Sequence, residues 1–194
     1  VAVTVDDGYG GPEAASMIRA ARAAGVTITF CFNAINSRAW NSSLRTAIRE
    51  AVADGHLELC NHGYAHNTGK STSESAGVSD LTRNRPWDEV GGIPTAPFYR
   101  PPYGAYGSGL LAAAASTGYR YTVLWDVDTN DWRGPSSSVI TQRAVGGVRR
   151  GSIILMHTKP NTAAAFPDIL RGLKAKGLRP VGLSELFAAG TPVR

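Results

Sequence analysis

Short apolar runs rich in β-branched and aromatic residues alternate along this chain with stretches of helical character. Val1–Val5, Val26–Phe32, Leu57–Cys60, Phe98–Tyr99, Tyr121–Trp125, Ser152–Met156 and Arg179–Val181 read as strands. Helices are expected over Pro12–Ala24, with Pro12 in the first turn and Gly25 past the end, and from a cap at Asn41 or Ser42 to about Ala53, closed by Gly55. Further helices are expected over Ser108–Thr117, from Ser136 or Ser137 to about Arg150, over Ala163–Lys176 and over Ser184–Ala189. The stretch 67–97 is rich in Ser, Thr and Gly, with a helix expected around Asp80–Val90 that Pro86 must interrupt or start. Strands alternating with helices imply repeated βα units on a parallel sheet, an α/β fold. No linker or low-complexity segment interrupts the pattern, so residues 1–194 are expected to form one domain.

The polar residues with chemistry fall just after strands: Asp6-Asp7, His62 and His66, Arg100, Asp126 to Asp131, and His157. In a parallel α/β barrel the C-terminal ends of the strands share one face, where such folds place their sites. Asp6 and Asp7 precede Gly8, where the backbone can turn. One of them could instead cap the helix near Pro12, although two adjacent carboxylates at a strand end exceed what a cap needs. His62 and His66 stand four apart, which on a helical turn places both imidazoles on one side. With Asp7 they make a two-His, one-carboxylate set that suits Zn and also accommodates Co, Ni or Fe(II). Three protein ligands leave coordination positions open, as a catalytic metal site requires. Asp6 is then free to take a proton from a water that the metal activates. Arg100, ahead of two prolines, is a candidate to hold Asp6 through a fork of hydrogen bonds, and the Tyr103 N–H is a candidate oxyanion donor. His157 is a general-acid candidate if Asp131 pairs with it, and Trp132 and Leu155 would form a small apolar wall suited to a methyl group.

Composition narrows the class. Of 194 residues, 43% are hydrophobic, enough to fill a core, and no apolar run approaches the roughly 20 residues of a membrane span. The first residues read as a strand without a signal peptide, so the chain is expected to begin inside a longer precursor. The net charge is +5, and a basic surface favours anionic polymers such as cell walls. Lys and Arg are scattered, with Arg149-Arg150 the one local cluster, so no nucleic-acid partner is expected. Cys31 and Cys60 both lie in strand-like runs. A disulfide is geometrically possible if those strands are neighbours, and two buried free thiols are the alternative.

Taken together and in order, Thr4-Val5-Asp6-Asp7-Gly8, His62-Gly63-Tyr64-Ala65-His66, Arg100-Pro101-Pro102-Tyr103-Gly104, Asp128-Thr129-Asn130-Asp131-Trp132 and Leu155-Met156-His157 resemble the five motifs of the polysaccharide deacetylases of carbohydrate esterase family 4, the NodB-homology domain. The resemblance spans nearly the whole chain. It implies a distorted (β/α) barrel of about seven parallel strands and metal-dependent removal of acetyl groups from sugars. By position it makes Asp6 the base and Asp7, His62 and His66 the ligands of a divalent metal, Zn first, with Co or Ni possible. It makes Arg100 the residue that orients Asp6, His157 the acid tuned by Asp131, Tyr103 an N–H donor, and Trp132 and Leu155 the contacts to the acetyl methyl. Two departures stand out. Val5 replaces the usual Phe, and Gly63 replaces a Ser or Thr whose hydroxyl normally helps brace the metal loop.

The expected substrate is an N-acetylated glycan of peptidoglycan or chitin type. An O-acetyl esterase on acetylxylan is the runner-up, and a catalytically inactive sugar-binding domain is the reading from another class. No phosphate-cradling Gly-rich loop supports a phosphoesterase. Tyr9, Trp87, Tyr103, Tyr106 and Trp132 are candidates to stack on sugar rings. A monomer, secreted or on the cell surface, is the expected state.

Overall fold

The computed structural model describes residues 1–37, 40–84 and 92–190. Seven strands, β1 (Ala2–Asp7), β2 (Ile28–Phe32), β3 (Leu57–Asn61), β4 (Phe98–Tyr99), β5 (Tyr121–Thr122), β6 (Val127–Asp128) and β7 (Ile153–His157), form one sheet in the order β5-β4-β3-β2-β1-β7-β6. Every pairing is parallel. The sheet curls into a half-barrel, a distorted (β/α) barrel. The helices are α1 (Gly11–Ala23), α2 (Ala34–Ser37), α3 (Ser42–Ala53), α4 (Glu74–Arg83), α5 (Ser108–Ser116), α6 (Ser137–Gly146), α7 (Pro160–Ala175) and α8 (Leu183–Ala189). Among the described residues no helix is long and apolar enough to cross a membrane.

Strand alternation divides the core in two. Outward residues Val3, Val5, Phe30, Phe32, Leu59, Ile154 and Met156 pack under Met17 and Ile18 of α1, Leu44 and Ile48 of α3, Ile140 of α6 and Phe166 and Ile169 of α7. At 13 residues α1 is too short to persist alone, so burial of Ala14, Met17, Ile18 and Ala21 holds it, at about 1.5–3 kcal/mol for each large side chain. Inward residues Ala2, Cys31, Cys60, Phe98 and Val123 meet Leu183, Leu186 and Phe187 of α8, which plugs the N-terminal end of the barrel. Cys31 and Cys60 are register partners on β2 and β3 with Cα atoms 4.3 Å apart, and they form a disulfide in this inner layer. That resolves the two thiol alternatives in favour of the bridge.

The sequence-based strands and helices need four corrections. Arg179–Val181 is reduced to a single bridge between Val181 and Ala2, and the seventh strand is instead β6, in which one of the two residues is polar. The strand expected over Tyr121–Trp125 ends at Thr122, because the chain must leave β5 at one sheet edge to reach β6 at the other. Asp126 therefore precedes a strand rather than ending one. It accepts hydrogen bonds from the Ile153 N–H (2.7 Å) and Ser152 Oγ (2.9 Å) at the foot of β7, away from the proposed chemistry. The helix expected at Asp80–Val90 begins at Glu74 under a Ser73 cap and ends at Arg83; Pro86 and Trp87 lie outside the described residues.

Candidate active site

β1 ends in a forced turn. Asp7 has φ 77° and Gly8 φ 80°, and a Cβ at Gly8 would overlap the Phe32 ring. The turn is held by Trp40, whose indole N–H donates to Gly8 O at 3.1 Å, and by Asn33 N and Asn36 Nδ2, which both donate to Asp7 O at 3.3 Å. Neither aspartate caps α1, whose N-cap is Gly10. Asp6 and Asp7 are both buried and diverge in their partners.

Asp6 belongs to Arg100. The guanidinium is 0% exposed, and its Nη1 donates to Asp6 Oδ1 at 2.9 Å and to Thr4 Oγ1 at 2.6 Å. Its Nε and Nη2 donate to Val123 O and Leu124 O, both at 3.3 Å. Those carbonyls lie in the segment that crosses the open side of the sheet between β5 and β6. One buried charge thus orients a carboxylate and ties the curl shut. Thr4 has a full set of partners, since its own hydroxyl donates to Ile154 O at 2.7 Å. Sequence reasoning missed it because a Thr in an apolar strand reads as an ordinary β-former. Its position two residues before Asp6, on the same inner face, was the available signal.

Asp7 belongs to the histidines. His66 Nε2 lies 3.2 Å from Asp7 Oδ1, and His62 Nε2 lies 3.6 Å from it and from Asp6 Oδ2. The ligand atoms of Asp7, His62 and His66 all fall within 4.8 Å of one another. The geometry is not that of a helical turn, as the spacing suggested. Residues 62–66 form a loop in which Gly63 has φ 75° and His66 φ 55°. His62 Nδ1 donates to Arg100 O at 2.7 Å, which fixes the tautomer and leaves the Nε2 lone pair facing the carboxylates.

The electrostatics favour a cation here. Burial pushes His62 down, but the charge of Asp6 and its pairing with Asp7 outweigh it and hold the ring above its ordinary value. Burial pushes the Asp7 carboxyl up, and the three neighbouring histidines hold it below the usual carboxylate range. His66, more desolvated than compensated, is lowered. Among the described residues two buried side-chain oxygens lack a hydrogen-bond partner, Asp7 Oδ1 and Asn33 Oδ1, and both lie at this end. An orphaned carboxylate oxygen facing two imidazole nitrogens fits a divalent ion of the Zn, Co or Ni type.

His157 sits at the end of β7 in register with Asp6. Its Nδ1 donates to Asp131 Oδ1 at 2.8 Å, while Asp131 Oδ2 accepts the His157 N–H at 2.7 Å and Thr162 Oγ1 at 2.6 Å. Burial would lower His157, but the Asp131 hydrogen bond and charge raise it above its ordinary value, and Asp131 is correspondingly held low. Thr162, in the first turn of α7, was also missed, because nothing in the sequence separates it from a helix surface residue. The aromatic candidates differ. Tyr103 has φ 60°, is 70% exposed and meets the His66 ring edge-on at 4.6 Å. Its N–H has no partner among the described residues. Trp132 is 53% exposed beneath the Arg133 guanidinium, and Leu155 is buried on the inner face of β7 two residues before His157. Tyr106 is exposed, and Tyr9 is half-buried under Lys159.

Residues 1–122 match the model of the polysaccharide deacetylase family. The chain is 34% identical over 182 residues to the bifunctional xylanase/xylan deacetylase of Cellvibrio japonicus, an alignment covering 93% of this chain and 26% of that protein. It is 30% identical over 190 residues to the peptidoglycan-N-acetylglucosamine deacetylase PgdA of Listeria monocytogenes, covering 96% and 38%. The family 4 carbohydrate esterase from Streptomyces lividans, solved in complex with acetate, superposes with a TM-score of 0.79 at 31% identity, covering 93% of this chain and 90% of that one. The chain therefore spans only 26% to 38% of the length of these two curated relatives. By fold, motif order and these matches, it belongs to the polysaccharide deacetylases of carbohydrate esterase family 4, the NodB-homology family.

Proposed function

We propose that this domain hydrolyses the acetyl groups of N-acetylated glycans of the peptidoglycan or chitin type, with a divalent metal, Zn first, held by Asp7, His62 and His66. The observation that carries the reading is the division of labour at β1. One carboxylate faces two imidazoles with an oxygen to spare, while its neighbour approaches His62 alone and is anchored by a buried guanidinium. When bound, such an ion supplies Lewis acidity toward an acyl oxygen and makes water a stronger acid.

The side chains supply the proton transfers. Asp6, aimed by Arg100 and Thr4, takes a proton from the attacking water. The Tyr103 N–H, without a partner among the described residues, donates to the oxyanion. His157, kept protonated by Asp131, protonates the leaving atom. An amide nitrogen leaves only when protonated, so the raised His157 favours an N-acetyl substrate. Trp132 and Leu155 wall the acetyl methyl. Removal of O-acetyl groups from xylan is the second reading, favoured by the 34% identity to a xylan deacetylase. A catalytically inactive sugar-binding domain is disfavoured because every proposed position is filled. The disulfide and a polymeric substrate support a place outside the cytoplasm, and residues 1–194 act as one catalytic domain and a monomer in this reading.

The test is acetate release from N-acetylglucosamine oligomers, peptidoglycan and acetylxylan, after chelation and after Zn or Co is restored. Metal-restored release is expected, largest on an N-acetyl substrate, and the Asp6→Asn variant should bind Zn yet turn over at least about 100-fold more slowly. Wild-type turnover in Asp6→Asn would remove Asp6 as the base.

A further inference from the structure

The β2–β3 ladder reaches the loop carrying both proposed histidine ligands only at its first residue, where the His62 N–H donates to Phe32 O at 3.3 Å. The loop leaves β3 at Asn61, and residues 62–66 are irregular. Its peptide groups are satisfied largely by side chains from elsewhere. Asn33 Nδ2 donates to His62 O at 2.6 Å and to Gly63 O at 2.8 Å, and Asn61 Oδ1 accepts the Gly63 N–H at 2.9 Å. In the middle of the loop Tyr64 O accepts the Ile35 N–H at 3.2 Å, and both remaining N–H groups, those of Tyr64 and Ala65, go to one residue. Asp80 of α4 accepts the Tyr64 N–H at 3.1 Å through Oδ2 and the Ala65 N–H at 3.3 Å through Oδ1. The same helix grips the loop again one turn later, where the Arg83 guanidinium lies 4.3 Å from the centre of the Tyr64 ring.

Gly63 completes the arrangement. A Cβ there would stand 2.5 Å from Asp80 Oδ2, and φ 75° is a conformation that side chains rarely adopt. The space a side chain at 63 would fill is occupied by the Asp80 carboxylate.

We propose that Asp80 is the positioning residue of the metal loop, acting in place of a side chain at position 63, and that Gly63 and Asp80 are an energetically coupled pair. This rests on the metal reading above. Asp80 touches neither metal nor substrate. By holding the Tyr64 and Ala65 peptides it sets the distance between His62 Nε2 and His66 Nε2, so its loss spreads the ligands rather than removing one.

The experiment is Zn titration against a chromophoric chelator, with the thermal midpoint of the metal-free protein recorded alongside. Asp80→Ala should weaken Zn binding about 10- to 100-fold, the range for residues that support metal ligands. Asp80→Asn, which keeps one acceptor oxygen, should fall between it and wild type. A merely structural residue would lower the metal-free midpoint and leave Zn affinity alone. Gly63→Ala should weaken Zn binding more in the wild-type background than in Asp80→Ala, where the obstructing oxygen is gone. Wild-type Zn affinity in a folded Asp80→Ala overturns the proposal; if that variant does not fold, wild-type affinity in Asp80→Asn overturns it. A wild-type protein that binds Zn without releasing acetate sinks the deacetylase reading and leaves this one standing.

Discussion

The inner face of the curled sheet carries two different environments along the same strands. At the C-terminal ends it presents Asp6, His62, Arg100 and His157; at the N-terminal ends it presents Ala2, Phe98 and Tyr121 beneath Leu183, Leu186 and Phe187 of α8. The disulfide and Thr4 separate the two. Among the described residues the four non-glycine positions with positive φ, Asp7, His66, Tyr103 and Asn130, all lie in or beside the motifs of the polar end. Each such residue costs on the order of 1–3 kcal/mol and persists only where its surroundings over-determine it. The apolar end gains stability from area, which tolerates small shifts. The polar end depends on named hydrogen bonds. Substitutions at the two ends should therefore fail differently.

The largest effect is expected where the polar end also carries structure. Arg100→Ala leaves the Asp6 carboxylate buried without its partner and frees the Val123 and Leu124 carbonyls that close the curl. Breaking one side of a buried ion pair costs about 3–5 kcal/mol. Urea unfolding should show that loss together with loss of turnover. A stability within 1 kcal/mol of wild type, on the order of an exposed ion pair, would mean the guanidinium only aims Asp6.

Next comes the proton donor. Asp131 raises His157, so protonated His157 persists to higher pH than a free imidazole. Activity that needs this proton is present below the His157 pKa and is lost as pH rises through it. Asp131→Asn removes the charge, so the alkaline limb should move to lower pH. The rate at the new plateau should fall by about 100-fold or more, because the ring loses its orienting partner. An unmoved alkaline limb would assign that limb to another group.

How much of this could be read from residues alone differs between the two ends. The long apolar strands and the one-sided polar clusters follow from strand alternation, whereas the Arg100–Asp6 and His157–Asp131 pairings are candidates that the family resemblance singles out. What escaped depends on backbone shape. His62 and His66 have helical spacing, but Gly63 and His66 adopt left-handed φ values and the segment becomes a loop. Two-residue β6 carries too little apolar surface to register as a strand and exists because the chain must reach the far edge of the sheet. Thr4, Thr162 and Asp80 act through hydrogen bonds to residues as far as 150 positions away, and Thr and Asp are too common in strands, turns and helix surfaces to betray that.

The smallest effect is expected at the apolar end, and it sharpens the contrast. Glu58 brings a carboxylate to that end. Its carboxylate accepts the Ser184 N–H at 3.2 Å, the Ser184 hydroxyl and Thr29 Oγ1 at 3.3 Å, and so sits at the N-terminus of the plug helix α8. A negative charge at a helix N-terminus contributes about 0.3–1 kcal/mol and is screened by salt. Glu58→Gln keeps the shape and one acceptor oxygen but loses the charge. The unfolding free energy should fall within that range at low ionic strength, with a smaller difference in high salt. Acetate release should not change, since α8 seals the barrel at the end opposite His62 and Asp7. A fall in turnover or Zn affinity in this variant would show that the plug is coupled to the metal loop through β3, which carries Glu58 at one end and leads into His62 at the other.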